Sequence, residues 1–119
     1  MLFRSQLQES VSGNTSEAYL GDLQTAARMY EAAGDLNRAL PMFRRAVALS
    51  DLLDAPRDTW RRPQTRIDAA LALARTGQFD EAEALAQEAL VLQREGGGSP
   101  TALAELDQIH QMKRAAARQ

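Results

Sequence analysis

The chain contains no cysteine. Disulfides, thiolate metal sites and cysteine nucleophiles are therefore excluded, and a reducing, cytoplasmic compartment fits. Aromatic residues make up only 5% of its 119 residues, so a core must be built mainly from small and aliphatic side chains. No apolar run approaches the roughly 20 residues that a membrane helix needs. The opening MLFRSQLQES lacks the apolar stretch of a signal peptide. The Asn14-Thr15-Ser16 sequon, without such a leader, reads as coincidence. Alternating Val/Ile/Thr runs, the signature of strands, are missing. So is an excess of one charge: 14 basic against 16 acidic side chains give a formal net charge of -2. That balance argues against a surface made to neutralise phosphate. Only one histidine is present, His110.

What the chain does have is Ala, Leu, Arg, Gln and Glu, all strong helix formers. The fold class that follows is all-α, and the length suits a single domain over residues 1–119. Six helices are expected. The first spans 2–11, with Leu2, Phe3, Leu7 and Val11 on one face. Ser12-Gly13-Asn14 breaks it, and Thr15 or Ser16 caps the second, whose stripe is Leu20, Leu23, Ala26, Ala27 and Tyr30. Gly34 ends that helix as a left-handed cap. Asp35 or Asn37 caps the third, which buries Leu36, Ala39, Leu40, Phe43, Ala46, Val47 and Leu49. Pro41 removes a backbone donor, so this helix is expected to start near Asn37 or to bend at the proline. Residues 54–63, DAPRDTWRRP, form the longest irregular stretch. A fourth helix runs from Thr59 or Pro63 to Thr76 on Ile67, Ala69, Ala70, Leu73 and Ala74, and Gly77 stops it. The fifth runs from Asp80 to Glu95 with Ala82, Leu85, Ala86, Ala89, Leu90 and Leu92 inward. After Gly96-Gly97-Gly98, Ser99-Pro100 reads as a cap with proline at the first helical position of the sixth. That helix carries Leu103, Leu106, Ile109 and Met112.

Two of these helix pairs share a register. Gly34 aligns with Gly77, Leu36 with Phe79, Ala39 with Ala82, Phe43 with Ala86, Ala46 with Ala89, Val47 with Leu90 and Leu49 with Leu92. Upstream, Ala26, Ala27 and Tyr30 align with Ala69, Ala70 and Leu73. A fixed period of 43 residues signals a helical solenoid, in which neighbouring units bury what one cannot bury alone.

These residues resemble the tetratricopeptide repeat (TPR), a helix hairpin that turns at a Gly-Asp/x-aromatic step with small Ala residues where its helices cross. The spacing, longer than the family's own period, looks like the long, kinesin-light-chain type. Arg66 departs from the pattern, standing where an apolar residue or Trp is common, and Ala27 and Ala70 replace a small Gly. The resemblance implies an α-α superhelix: a half repeat at 2–11, repeats at 16–53 and 60–95, and a half repeat or capping helix at 99–117. Leu2/Phe3 at one end and Ile109/Met112 at the other are then expected to stay partly exposed. It also implies a non-catalytic protein-binding scaffold. The groove positions carried over are Gln24 and Arg28, then Ile67, Leu71 and Arg75, then Asp107 and Gln111. Ile67 and Leu71 would make an apolar strip edged by Arg28 and Arg75. Such a strip suits an extended or helical segment with an apolar anchor and acidic flanks, and not a terminal-carboxylate clamp.

Chemistry finds little footing. Asp107 and Arg114 lie within a turn of His110 and suggest a surface ion pair, since a catalytic site needs convergent partners. Asp80, Glu81 and Glu83 occupy a helix's first turn, where carboxylates favour the dipole. The glycine run lacks the phosphate-loop pattern. No catalytic residue, metal site or cofactor is expected. The sharpest polar feature is Trp60 among Arg57, Arg61, Arg62 and Arg66, which could grip a nucleic-acid strand. Pairing of these arginines with Asp54, Asp58 and Asp68, and Trp60 packed over the repeat junction, is the favoured account. Two other functions therefore compete with the peptide- or domain-binding scaffold: a unit that self-assembles into homo-oligomers through unfinished ends, and a helical-repeat RNA-binding module. A hydrolase is the remotest.

Overall fold

The computed structural model describes residues 17–53, 61–96 and 100–119. The expected helix at 2–11, the caps at Thr15 and Ser16, Arg57, Trp60 and Ser99 lie outside them. Five helices and no strand are present among the described residues: α1 Glu17–Ala32, α2 Leu36–Leu53, α3 Arg61–Arg75, α4 Phe79–Glu95 and α5 Thr101–Ala117. The all-α class and TPR-like repeat packing follow.

The turn between α1 and α2 is written in two glycine-directed hydrogen bonds. The Gly34 N–H reaches the Glu31 carbonyl at 2.9 Å, and the Asp35 N–H reaches the Tyr30 carbonyl at 2.8 Å. Between α3 and α4, Gly77 N–H bonds Ala74 O and Gln78 N–H bonds Leu73 O, both at 3.0 Å. This double bond pattern is the Schellman motif, and it needs a left-handed residue at its centre. Gly34 and Gly77 supply it, with φ of +82° and +84°.

Asp35 then caps α2, its Oδ1 accepting the Arg38 N–H at 3.3 Å. The helix begins at Leu36 and runs through Pro41, where a start near Asn37 was one expectation. The proline is tolerated because both it and Asn37, whose carbonyl loses a donor, face solvent. The start of α5 differs as well. Pro100 stands at the N-cap position and not at the first helical residue, and it offers no side-chain cap. Gln93 on α4 takes over: its Oε1 accepts the Ala102 N–H at 2.9 Å, and its Nε2 donates to Thr101 Oγ1 at 2.8 Å. A glutamine nine residues upstream in sequence thus satisfies an orphan helix-start donor.

The helices zigzag. Each packs on its sequence neighbour, and α3 also packs on α5. The molecule is only 18 Å thick along its shortest axis, close to two helix diameters. One layer holds α1, α3 and α5, and the other holds α2 and α4. Alanines make the close approach possible: Ala27, Ala39, Ala70, Ala82 and Ala86 are fully buried around Phe43 and Leu73. A second cluster of Tyr19, Leu20, Leu23, Ala46 and Leu49 joins the start of α1 to the end of α2. Within the second layer Arg44 grips Glu81 through both its oxygens, at 3.0 and 2.9 Å.

On α5 the expectation of partial exposure holds for Met112 and fails for Ile109. Ile109, expected to stay partly exposed, is fully buried, and Met112 is half-buried. Leu103, expected in the packing stripe, is instead 44% exposed. The buried positions are Ala102, Leu106 and Ile109, a 3–4-residue spacing that turns Leu103 outward.

Candidate interaction surface

The layer of α1, α3 and α5 exposes a polar stripe. On α3 it runs through Gln64, Asp68, Leu71 and Arg75, at steps that stack side chains on one helix face. On α1 it runs through Gln24, Arg28 and Glu31 in the same way. Leu71 and Gln24 are half-buried, while Arg28 and Arg75 are exposed.

Both arginines are committed within the protein. Arg28 Nη2 donates to Asp68 Oδ2 at 2.6 Å, and Gln64 Nε2 holds the other oxygen of Asp68 at 3.0 Å. Arg75 pairs closely with Glu31. The two ion pairs run in opposite directions between α1 and α3: one cation comes from each helix. The stripe is therefore laced shut electrostatically, and its basic edges are already matched by carboxylates.

Ile67 does not belong to this stripe. It is buried at 9% exposure among Ala89, Leu90 and Ala102, so it cements α3 to α4 and α5. The apolar strip expected from Ile67 and Leu71 reduces to Leu71. Asp107 and Gln111 are exposed, but α5 turns a different residue towards α3. That residue is Glu105, whose ionisation is coupled to Asp68 and Arg75. At about 100° per residue, Asp107 and Gln111 lie about 200° and 240° around the helix from it.

Glu105 is the residue that sequence reading missed. Its Oε2 is shut off from solvent and has no hydrogen-bond partner. Burial, reinforced by the negative Asp68, pushes its carboxyl up to about 7 against a smaller opposing pull from Arg75. A signal was present: Glu105 sits three residues after Ala102 and four before Ile109, both buried, so it borders the apolar stripe.

Arg62 and Arg66, two described arginines of the Arg/Trp region, are engaged within the protein. Arg66 is buried at 7% exposure. Its Nη1 and Nη2 grip Asp51 at 3.0 and 2.8 Å, and its Nε donates to Glu88 at 2.9 Å. Arg62 adds a 2.9 Å bond to Asp51. The partners seen are Asp51 and Glu88, while Asp68 serves Arg28; the expected partners Asp54 and Asp58 lie outside the described residues. Burial alone would raise Asp51, but the bonds from Arg66 and Arg62 outweigh it and hold the carboxyl below its ordinary range. A cleft of about 550 Å³ opens beside this network, bounded by Ala84, Gln87, Val91 and Leu92. The arginines reinforce the α2–α3–α4 junction and are neutralised there.

His110 finds a partner outside its own helix. Its Nε2 lies 3.0 Å from Glu83 of α4, where Lys113 also reaches Glu83 and Asp80 at 3.4 Å. The expected pairing with Asp107 or Arg114 is replaced by a tie between α4 and α5. Among the described residues no cluster of His, Asp and Glu is arranged to hold a metal ion, and no helix is long and apolar enough to cross a membrane.

Comparison with protein families matches residues 64–95 to the Tetratricopeptide repeat. The match covers α3 from Gln64 onward and all of α4, one complete turn of Gly77 included. Neither the curated proteins nor the solved structures yield a match.

Proposed function

We propose that this chain is a non-catalytic protein–protein interaction scaffold, and that a segment of the partner lies across the layer of α1, α3 and α5. The tetratricopeptide repeat is generally such a scaffold, and the match at 64–95 supports that reading. The observation that carries the site is Leu71, a half-buried apolar side chain flanked on its own helix by Asp68 and Arg75. An isolated apolar position between satisfied ion pairs is a place for an anchor residue, because its burial costs no unpaired charge. Gln24, Arg28 and Arg75 form the rim. Since Arg28 and Arg75 already face Asp68 and Glu31, the occupant needs an apolar anchor, and acidic flanks add little. The 43-residue separation of Gly34 and Gly77 supports a long repeat of the kinesin-light-chain kind.

Two other readings lose support. Arg62 and Arg66 are matched by Asp51 and Glu88, which leaves little field for RNA. The exposed residues of α5 include Asp107, Gln108, Gln111, Lys113 and Arg114 beside Leu103 and Ala104, a mixed face that offers self-stacking little continuous apolar surface. Affinity capture on the full chain, followed by hydrogen exchange with the purified partner, tests the proposal. New protection on α1 and α3 supports it; protection confined to α2 and α4 overturns it.

A further inference from the structure

Glu105 combines three features that do not coexist comfortably in an ionised carboxylate. Its Oε2 is shut off from bulk solvent and no protein group donates to it. Its neighbour from α3, Asp68, is negative and already bound by Arg28 and Gln64. The cation that acts on it, Arg75, is engaged through Nη1 with Glu31. From α4 the charged groups facing α5 are Glu83 and Asp80, and they meet His110 and Lys113, about 7.5 and 12 Å farther along the helix. No donor reaches Oε2 in this arrangement. A protonated carboxyl, neutral and tolerant of burial, fits the geometry.

A guanidinium carries five N–H donors in a planar fork, and Arg75 uses Nη1 on Glu31. We propose that Glu105 is a proton-operated clasp: when its proton departs to solvent, the carboxylate recruits the remaining donors of Arg75, so that one guanidinium ties α1, α3 and α5 together. The balance is simple. One proton leaves, one negative charge appears on α5, and Arg75 answers it without releasing Glu31. In the protonated state α5 is held to α3 through apolar packing, Ala102 in the cluster of Ile67, and Leu106 and Ile109 in that of Leu73. The change lies within the stripe proposed to meet a partner, because Arg75 borders Leu71. The clasp itself stands or falls independently of that proposal.

The direction of the perturbation agrees, since burial and Asp68 both resist ionisation, and the transition falls near neutrality at about 7. The test is a carboxyl-carbon NMR titration of the full chain, read together with the Arg75 Nε–Hε resonance. In the wild type both signals should move with one midpoint near neutral pH. Glu105→Gln should leave the Arg75 resonance without that transition. Arg75→Gln should raise the Glu105 midpoint by about one unit, and Asp68→Asn should lower it. Arg75→Gln, an exposed substitution, keeps the test intact if Glu105→Gln fails to fold. A Glu105 midpoint in the ordinary carboxylate range overturns the proposal. So does an Arg75 resonance that ignores the Glu105 transition.

Discussion

Gly34 and Gly77 hold the same left-handed backbone, φ +82° and +84°, 43 residues apart, and each closes the same pair of hydrogen bonds between two helices. The repeat is therefore expressed in backbone geometry as well as in side-chain spacing. A Cβ built at either glycine meets nothing within 4 Å, so the cost of a side chain there comes from the backbone alone. Gly34→Ala and Gly77→Ala should each destabilise by about 1–2 kcal/mol, and the asparagine variants by less. Urea denaturation of the four single variants measures this.

Arg66 should be more sensitive to loss of length than to loss of charge. Its partners Asp51 and Glu88 are 38% and 55% exposed at the side chain, so they recover water when the guanidinium goes. Arg66→Ala also leaves a hole in the α2–α3–α4 junction and should cost about 2–3 kcal/mol. Arg66→Met keeps the aliphatic stem and should cost less, which thermal denaturation of both variants will show.

Acid should undo part of the same junction. The Asp51 carboxyl is held below its ordinary value of 3.8, so in the folded protein it binds its proton later than in the unfolded chain. Its contribution is present in full above that value and is lost as pH falls through the folded one. The stability difference between wild type and Asp51→Asn should be widest above about pH 4 and should close below it. Denaturation series at stepped pH provide the check.

Glu105 should act with the opposite sign. Its folded carboxyl titrates near 7 where the unfolded one titrates near 4.5. Between those values the unfolded chain has given up a proton that the folded chain keeps, so stability falls as pH rises across the window and levels off above it. Glu105→Gln should abolish the fall. The same stepped-pH series, run on wild type and Glu105→Gln, decides it.

The core should be intolerant of size in both directions. Phe43 is 1% exposed and Ala70 fully buried. Phe43→Ala should cost about 3–5 kcal/mol through the cavity it leaves. Ala70→Leu should cost about 1–3 kcal/mol by forcing α3 away from its neighbours. Leu52→Ala, at 71% exposure, should change stability by less than about 0.5 kcal/mol. Denaturant midpoints rank the three.

Sequence alone reached most of what depends on local periodicity, with Leu103 the exception. The glycine caps, the alanine crossings, the carboxylates at the start of α4 and the all-helical class all follow from spacing, because a helix brings residues three and four apart onto one face. It faltered where a side chain's partner lies on another helix. Asp51 and Glu88 come within reach of Arg66 only once α2, α3 and α4 have packed, and Asp68 within reach of Arg28 only once α1 lies beside α3. Gln93 could not be seen to cap α5, since the bond crosses an interhelical turn. Ile67 was assigned to an open surface because spacing does not say which apolar residue the next hairpin covers. Glu105 went unnoticed because a lone acid beside an apolar stripe looks like any solvated charge until α3 is laid over it.

The account rests on the α1–α3–α5 face as the place where a partner is held. Leu71→Glu puts a charge at its anchor, and Leu52→Glu puts the same charge on an exposed position of α2. Quantitative affinity capture with wild type and both variants, each shown to keep wild-type helicity and denaturation midpoint, is the direct measurement. Loss of the captured partner in Leu71→Glu with retention in Leu52→Glu is the predicted result. Undiminished capture by a folded Leu71→Glu would contradict it.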